Sequence, residues 1–267
     1  MPNKLTALLF ALFPPTLYTA VRTAVYAVAG LLARSGTEDI FAENRARLAL
    51  RNAQPWLLIG SAALTLIIFA LIFRGTPLLR FVGTARPRLP SVAAMIEIGL
   101  GLNLALTALI LLLPLPADWF AEHTGGVSDP LGEAGLAVKL LCTVIAAPLA
   151  EEVVFRGLTQ RFLLRGFSPG FAVLWQAVFF AAFHGTKLQM IYVLPAGIVL
   201  GLVYRRSGTL LAPIILHMAF NAYSELSIPL PRHAVGLAAC LLGGGAVVTF
   251  AMLGERRRSL HQAAPQH

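Results

Sequence analysis

AGLAVKLLCTVIAAPLAEEVVFR, residues 134–156, is apolar for most of a membrane's thickness and then meets two adjacent glutamates and an arginine. Crossing a bilayer core takes about 20 helical residues, so a stretch of this length and character reads as a helix of a membrane protein. A carboxylate at that depth is costly to insert, which marks Glu151 and Glu152 as candidates for a functional site. In Glu151-Glu152-Val153-Val154-Phe155-Arg156 the four-residue step puts Glu152 and Arg156 on one helix face and turns Glu151 away by about 100°. One glutamate can therefore pair with the arginine and leave the other free to take a proton from water, the division of labour that general-base hydrolysis requires. The same hexapeptide also reads as a structural Glu-Arg pair at a helix end.

The rest of the chain has the same character. Of its 267 residues 57% are hydrophobic and 12% charged, with a mean hydropathy of +0.76, a balance foreign to soluble globular domains. Eight apolar segments follow one another, at about 5–33, 56–73, 92–114, 135–163, 169–187, 189–204, 208–227 and 233–253. Their lengths and short polar connections predict an all-α fold, a polytopic membrane helical bundle of about eight transmembrane helices, rather than a barrel. They form one integral membrane domain in three parts: N-terminal segments and loops over 1–134, a core over 135–227, and a last helix with a basic cytoplasmic tail over 228–267. Pro14-Pro15 and Arg22 interrupt the first segment, predicting a kink or a short helix followed by an interfacial one. Lys4 ahead of an apolar run and Ala27-Val28-Ala29 resemble a cleaved signal, but Arg22 inside the run favours a retained segment. Cys142 and Cys240 lie in apolar runs and read as packing residues, with no disulfide framework or zinc-finger spacing.

The formal charge of +9 does not point to nucleic acid, because the basic residues sit in short loops where membrane orientation explains them. Between the third and fourth segments Asp118, Glu122, Asp129 and Glu133 stand without Lys or Arg, which suits the outer side. Arg74, Arg80, Arg86, Arg88, Arg161, Arg165, Arg205, Arg206 and Arg256-Arg257-Arg258 then fall inside. The stretch 34–55 is the exception, with Arg34, Arg45, Arg47 and Arg51 outside among Glu38, Asp39 and Glu43. The Ala-, Leu- and Arg-rich composition suggests a bacterial cytoplasmic (inner) membrane.

Two further segments each carry a histidine. His184 follows Phe179-Phe180-Ala181-Ala182-Phe183; taken alone it reads as an interfacial residue. His217 and Asn221 share one face of Leu210 to Ser227 and need polar partners there. Such a pair can donate two hydrogen bonds to a developing oxyanion, supply a metal ligand and its neighbour, or simply glue helices. With the fourth helix running to about Leu164, Glu151, His184, His217 and Asn221 lie roughly 20, 24, 14 and 20 Å from the cytoplasmic helix ends, close enough in depth to meet. No H-E-x-x-H helix, G-x-S-x-G elbow, Walker-type loop or G-x-G-x-x-G motif is present. Gly243-Gly244-Gly245 reads as a close-packing site. Water attack promoted by a carboxylate is the most economical chemistry.

Glu151-Glu152-Val153-Val154-Phe155-Arg156-Gly157, Phe180-x-x-x-His184 and His217-x-x-x-Asn221, in this order on successive segments, resemble the three motifs of the CAAX-protease and bacteriocin-processing (CPBP, or Abi) family of intramembrane proteases, which includes the type II CAAX prenyl endopeptidases. The resemblance covers about residues 135–227 and implies an eight-helix fold and cleavage of a peptide bond in a membrane-associated protein or peptide, reached from the cytoplasmic side. It further implies that Glu151 and His184 activate the attacking water, that His217 and Asn221 form the oxyanion site, and that Glu152 and Arg156 support them. Members are usually labelled metalloproteases, and a purely glutamate-driven mechanism is argued as well. A divalent metal such as zinc, with Glu151, His184 and His217 as its candidate ligands, therefore stands beside a metal-free site. Because most bacteria do not prenylate such proteins, the prenyl substrate is not carried over. A non-catalytic immunity or scaffold protein and a proton-coupled transporter are the alternatives. Retention of both glutamates speaks against the first, and the absence of matching halves against the second.

Overall fold

A computed structural model describes residues 3–34, 42–74, 91–124, 134–226 and 228–263. Glu38, Asp39, Arg80, Arg86, Arg88, Asp129 and Glu133 lie outside the described residues, as do the side chains of Arg256, Arg257 and Arg258. Among the described residues all regular structure is helical. We name α1 Lys4–Arg34, α2 Ala42–Ile72, α3 Val92–Leu112, α4 Ala117–Thr124, α5 the unbroken helix over 136–163, α6 Pro169–Ala182, α7 Lys187–Ser207, α8 Leu211–Glu225 and α9 Ala234–Ala263. Among the described residues five stretches are long and apolar enough to cross a membrane: Lys4–Arg34, Glu43–Ile72, Val92–Leu112, Lys187–Ser207 and Ala234–Glu255.

Several boundaries move from their sequence positions for local reasons. The first segment is one continuous helix through Pro14 and Pro15, both buried, since packing against neighbouring helices tolerates the lost backbone bonds. The second begins at Ala42, so Arg45, Arg47 and Arg51 lie on helix rather than in a loop. Arg47 Nη2 pairs with Glu43 Oε1 at 2.6 Å one turn back, and Pro55 falls inside the helix instead of starting it. The acidic loop carries the short α4, whose Trp119 ring lies 5.8 Å from Lys187 Nζ at the start of α7. The α7 C-terminus is closed by Gly208 in the left-handed region at φ 66°, the conformation in which glycine avoids a side-chain clash. The last helix continues beyond 253 to Ala263.

The helix α5 forms the axis of the site, and its winding changes along its length. Two π-helical stretches, Leu140–Ala146 and Val153–Gln160, flank a short α-helical piece, Ala147–Glu152, that carries both glutamates. Wider winding shifts side-chain register relative to an ideal helix, a distortion often found at functional sites. Around α5, the α1 helix runs antiparallel: Phe10 stacks on Phe162 at 5.6 Å, and the α1 N-terminus abuts Gly166. On the other side, α6 and α7 approach closely at Gly197, where an added Cβ would sit 3.1 Å from that of Ala177. The α3 helix packs against α8 and α9. There Asn103, buried in α3, donates to Phe220 O at 2.8 Å and Ser224 Oγ at 2.7 Å of α8. Of the three clustered glycines only Gly244 is a packing point: its Cβ would lie 2.5 Å from Gly101 O, whereas Gly243 and Gly245 meet nothing. Both cysteines are free, and Cys142 Sγ donates to Pro55 O at 3.4 Å.

Candidate active site

Four of the six residues singled out from the sequence meet directly. Arg156 Nη1 donates to Glu152 Oε1 at 2.8 Å, with both side chains fully buried. The same oxygen lies 2.8 Å from His217 Nδ1, brought in by α8. The other ring nitrogen, Nε2, lies 3.8 Å from Glu151 Oε2. His217 is therefore held between the two glutamates, with Glu152 on the closed side and Glu151, 16% exposed, on the open side. A carboxylate bonded to a guanidinium is an acceptor only, so the Glu152 contact places a ring proton on His217 Nδ1.

The fifth residue, His184, lies in the turn just after α6 rather than within the helix. Its Nδ1 is 2.6 Å from Phe180 O, and a carbonyl can only accept, so Nδ1 carries the proton and a neutral ring leaves Nε2 as an acceptor. Phe180 ties the site together: its ring meets His184 edge-on at 4.6 Å and His217 at 5.8 Å. The Arg156 guanidinium stacks over the same ring at 4.3 Å, a favourable cation–π contact in a desolvated setting. The sixth residue, Asn221, donates through Nδ2 to Thr143 O of the first π-helical stretch at 2.7 Å. An amide carries two N–H donors, and this contact uses one of them.

A second tier of polar residues, not singled out from the sequence, supports the arginine. Arg156 Nη2 donates to Gly197 O at 3.3 Å, and Gln176 Nε2 donates to the same carbonyl at 2.8 Å. Gln160, one turn after Arg156, donates to Gly201 O at 3.0 Å. The α7 backbone can serve as acceptor because glycines at 197 and 201 let it approach. A Cβ on Gly201 would fall 2.5 Å from Gln176 Nε2. Glu152 Oε2, Arg156 Nε, Gln160 Oε1 and Gln176 Oε1 are buried without a hydrogen-bond partner among the described residues. A signal for this tier was present in the sequence: Gln160 and Gln176 are uncharged polar residues inside apolar segments, which the membrane rule for polar groups also flags.

Residues 133–223, which contain every one of these groups from Glu151 to Asn221, match the family model described as type II CAAX prenyl endopeptidase Rce1-like. The likeness is confined to this stretch. No curated protein and no solved structure matches the chain. The Rce1-like segment thus comprises α5 to α8 almost entirely; α1, α2 and α3 pack against it, and α9 packs on α3. Among the described residues no three His, Cys, Asp or Glu side chains form a group that could hold a metal ion.

Proposed function

We propose that the protein is an intramembrane endopeptidase that hydrolyses a peptide bond in a membrane-associated protein or peptide by means of water activated at Glu151. The observation that carries this reading is the placement of His217 between two carboxylates, 2.8 Å from Glu152 and 3.8 Å from Glu151. Glu151 takes a proton from water, and the resulting hydroxide oxygen adds to the peptide carbonyl. The neutral His184 ring, with its proton held by Phe180 O, offers Nε2 to accept a hydrogen bond from the attacking water. The proton on Glu151 passes to His217 Nε2, giving an imidazolium whose Nδ1–H stays on Glu152. That imidazolium and the second Asn221 N–H stabilise the oxyanion. The proton then leaves from His217 to the departing amine nitrogen, so the C–N bond breaks and Glu151 is free for the next turnover. Glu152, hydrogen-bonded to Arg156, holds His217 Nδ1–H and supplies the counter-charge to the imidazolium when it forms.

We further propose that the helices, about eight spans in all, insert in a bacterial cytoplasmic membrane with the α5–α6 turn inside, and that substrate arrives from that side. Supporting this, Lys4, Arg161, Arg165, Arg205 and Arg206 collect at one end of the bundle, whereas at the other Lys139 and Lys187 stand with Asp118 and Glu122 of α4, an asymmetry in the direction of the positive-inside rule.

The test is cleavage of a lipid-anchored peptide library by purified protein in detergent, comparing wild type with Glu151→Ala, each with and without a chelator. Loss of at least a thousandfold in the variant is expected, since the base is removed together with the proton relay it feeds. Cleavage equal in the two proteins would sink the reading. Chelator sensitivity of the wild type would assign the water to a zinc-type site at Glu151, His184 and His217, and insensitivity to the side-chain mechanism.

A further inference from the structure

Outside the Rce1-like segment, α3 carries a single charged residue, Glu97. Its side chain is exposed and forms no hydrogen bond or ion pair among the described residues. The 21 residues of α3 rise about 31 Å, close to the thickness of a bilayer core, so Glu97 branches from the helix about 8 Å below the nearer headgroups. Helical side chains lean toward the N-terminus, which carries the carboxylate back up toward those headgroups. A carboxylate at this level requires a donor or a cation beside it.

The space next to Glu97 has a defined shape. The α3 and α9 helices touch at Gly101 and Gly244, one turn deeper than Glu97. They are tied again at the membrane border, where Ser91 N–H donates to Glu255 Oε1 at 3.3 Å. Between the two contacts a slot of about 480 Å³ opens at the protein surface, lined by Glu97, Ala246, Val247, Phe250, Gly254 and Glu255 among others. The apolar span of α9 ends at Glu255, so both carboxylates stand at the headgroup end of the slot and the apolar walls lie below them. A helix about 10 Å across would fill such a space with roughly one turn, whereas a lipid headgroup and the start of one acyl chain enter it readily.

We propose that this slot binds a membrane lipid with a primary ammonium headgroup, its ammonium at Glu97 and Glu255 and one acyl chain along Val247 and Phe250. A primary ammonium brings three N–H donors to carboxylates that can only accept. A trimethylammonium carries the same charge and no donor, so the slot selects by N–H count. The bound lipid also braces the site from behind, because α3 packs on α8 at Gly99, against the Leu216 carbonyl next to His217.

The test uses full-length protein in detergent. It is offered equal amounts of phosphatidylethanolamine, its N-methyl and N,N-dimethyl derivatives and phosphatidylcholine, all with the same chains, and the retained lipid is counted by native mass spectrometry. Wild type is expected to retain the primary amine about tenfold over the choline lipid, the effect of one charge-assisted hydrogen bond, with retention falling at each methylation. Glu97→Gln should remove the preference. Ala246→Phe, at an exposed position on the α9 wall, fills the slot and should lower retention with Glu97 still in place. Equal retention of the four lipids by wild type overturns the proposal, as does a preference that survives Glu97→Gln. A preference untouched by Ala246→Phe would move the ammonium out of the slot and overturn it as well. Cleavage at Glu151 enters none of these readouts.

Discussion

At the scale of single residues, the buried pair of Glu152 and Arg156 decides both stability and chemistry. Neither side chain has any exposed surface, and removing one partner leaves the other charged and unsolvated, a loss of about 3–5 kcal/mol. Glu152→Gln and Arg156→Met should each lower the thermal midpoint in detergent by several degrees. The double variant should regain most of the loss yet remain inactive, because the imidazolium loses its counter-charge. Single variants as stable as wild type would show that the pair is not closed to water. This pair could be read from the sequence because a four-residue step on a helix fixes proximity whatever surrounds it. The hub role of Phe180 was legible only toward His184, four residues on; its contacts with Arg156 and His217 come from α5 and α8. Asn221 shows the limit from the other side: its face on α8 was legible, but its bond to Thr143 O depends on where the π-helical turn of α5 presents that carbonyl.

At the scale of helices, close approach is set by glycine. A Cβ on Gly99 of α3 would fall on the Leu216 carbonyl oxygen and within 2.8 Å of the Ala219 Cβ. Gly99→Ala must push α8 outward just where it carries His217. We expect a destabilisation of about 1–3 kcal/mol from overpacking and a fall in activity larger than stability alone explains, since His217 would move away from both glutamates. Gly60→Ala, where nothing lies within 4 Å, is the control and should be neutral or slightly stabilising in unfolding and activity assays. Similar behaviour of the two variants would remove the link between helix spacing and the site. The apolar helices were legible because apolar length alone marks them, whereas the short polar α4, read as a loop, was not. The ends were less so: Pro55 looked like a start and stands inside α2, while His184 looked helical and lies in a turn. The π-helical winding of α5 left no trace in the apolar pattern, because a stretch apolar on all faces has no periodicity to shift.

At the scale of the whole molecule, the proposed orientation follows from the placement of charge. The short turns joining α5 to α6 and α7 to α8 carry Arg165, Arg205 and Arg206 or border them, and the opposite end carries Asp118 and Glu122. Two single-cysteine proteins test the assignment after Cys142 and Cys240 are replaced by alanine. Gly170→Cys, at an exposed site with nothing within 4 Å of its Cβ, should react with a membrane-impermeant maleimide only after the membrane is opened. Glu122→Cys on α4 should react in intact cells. The reversed pattern would put the basic ends outside and with them the entry to Glu151.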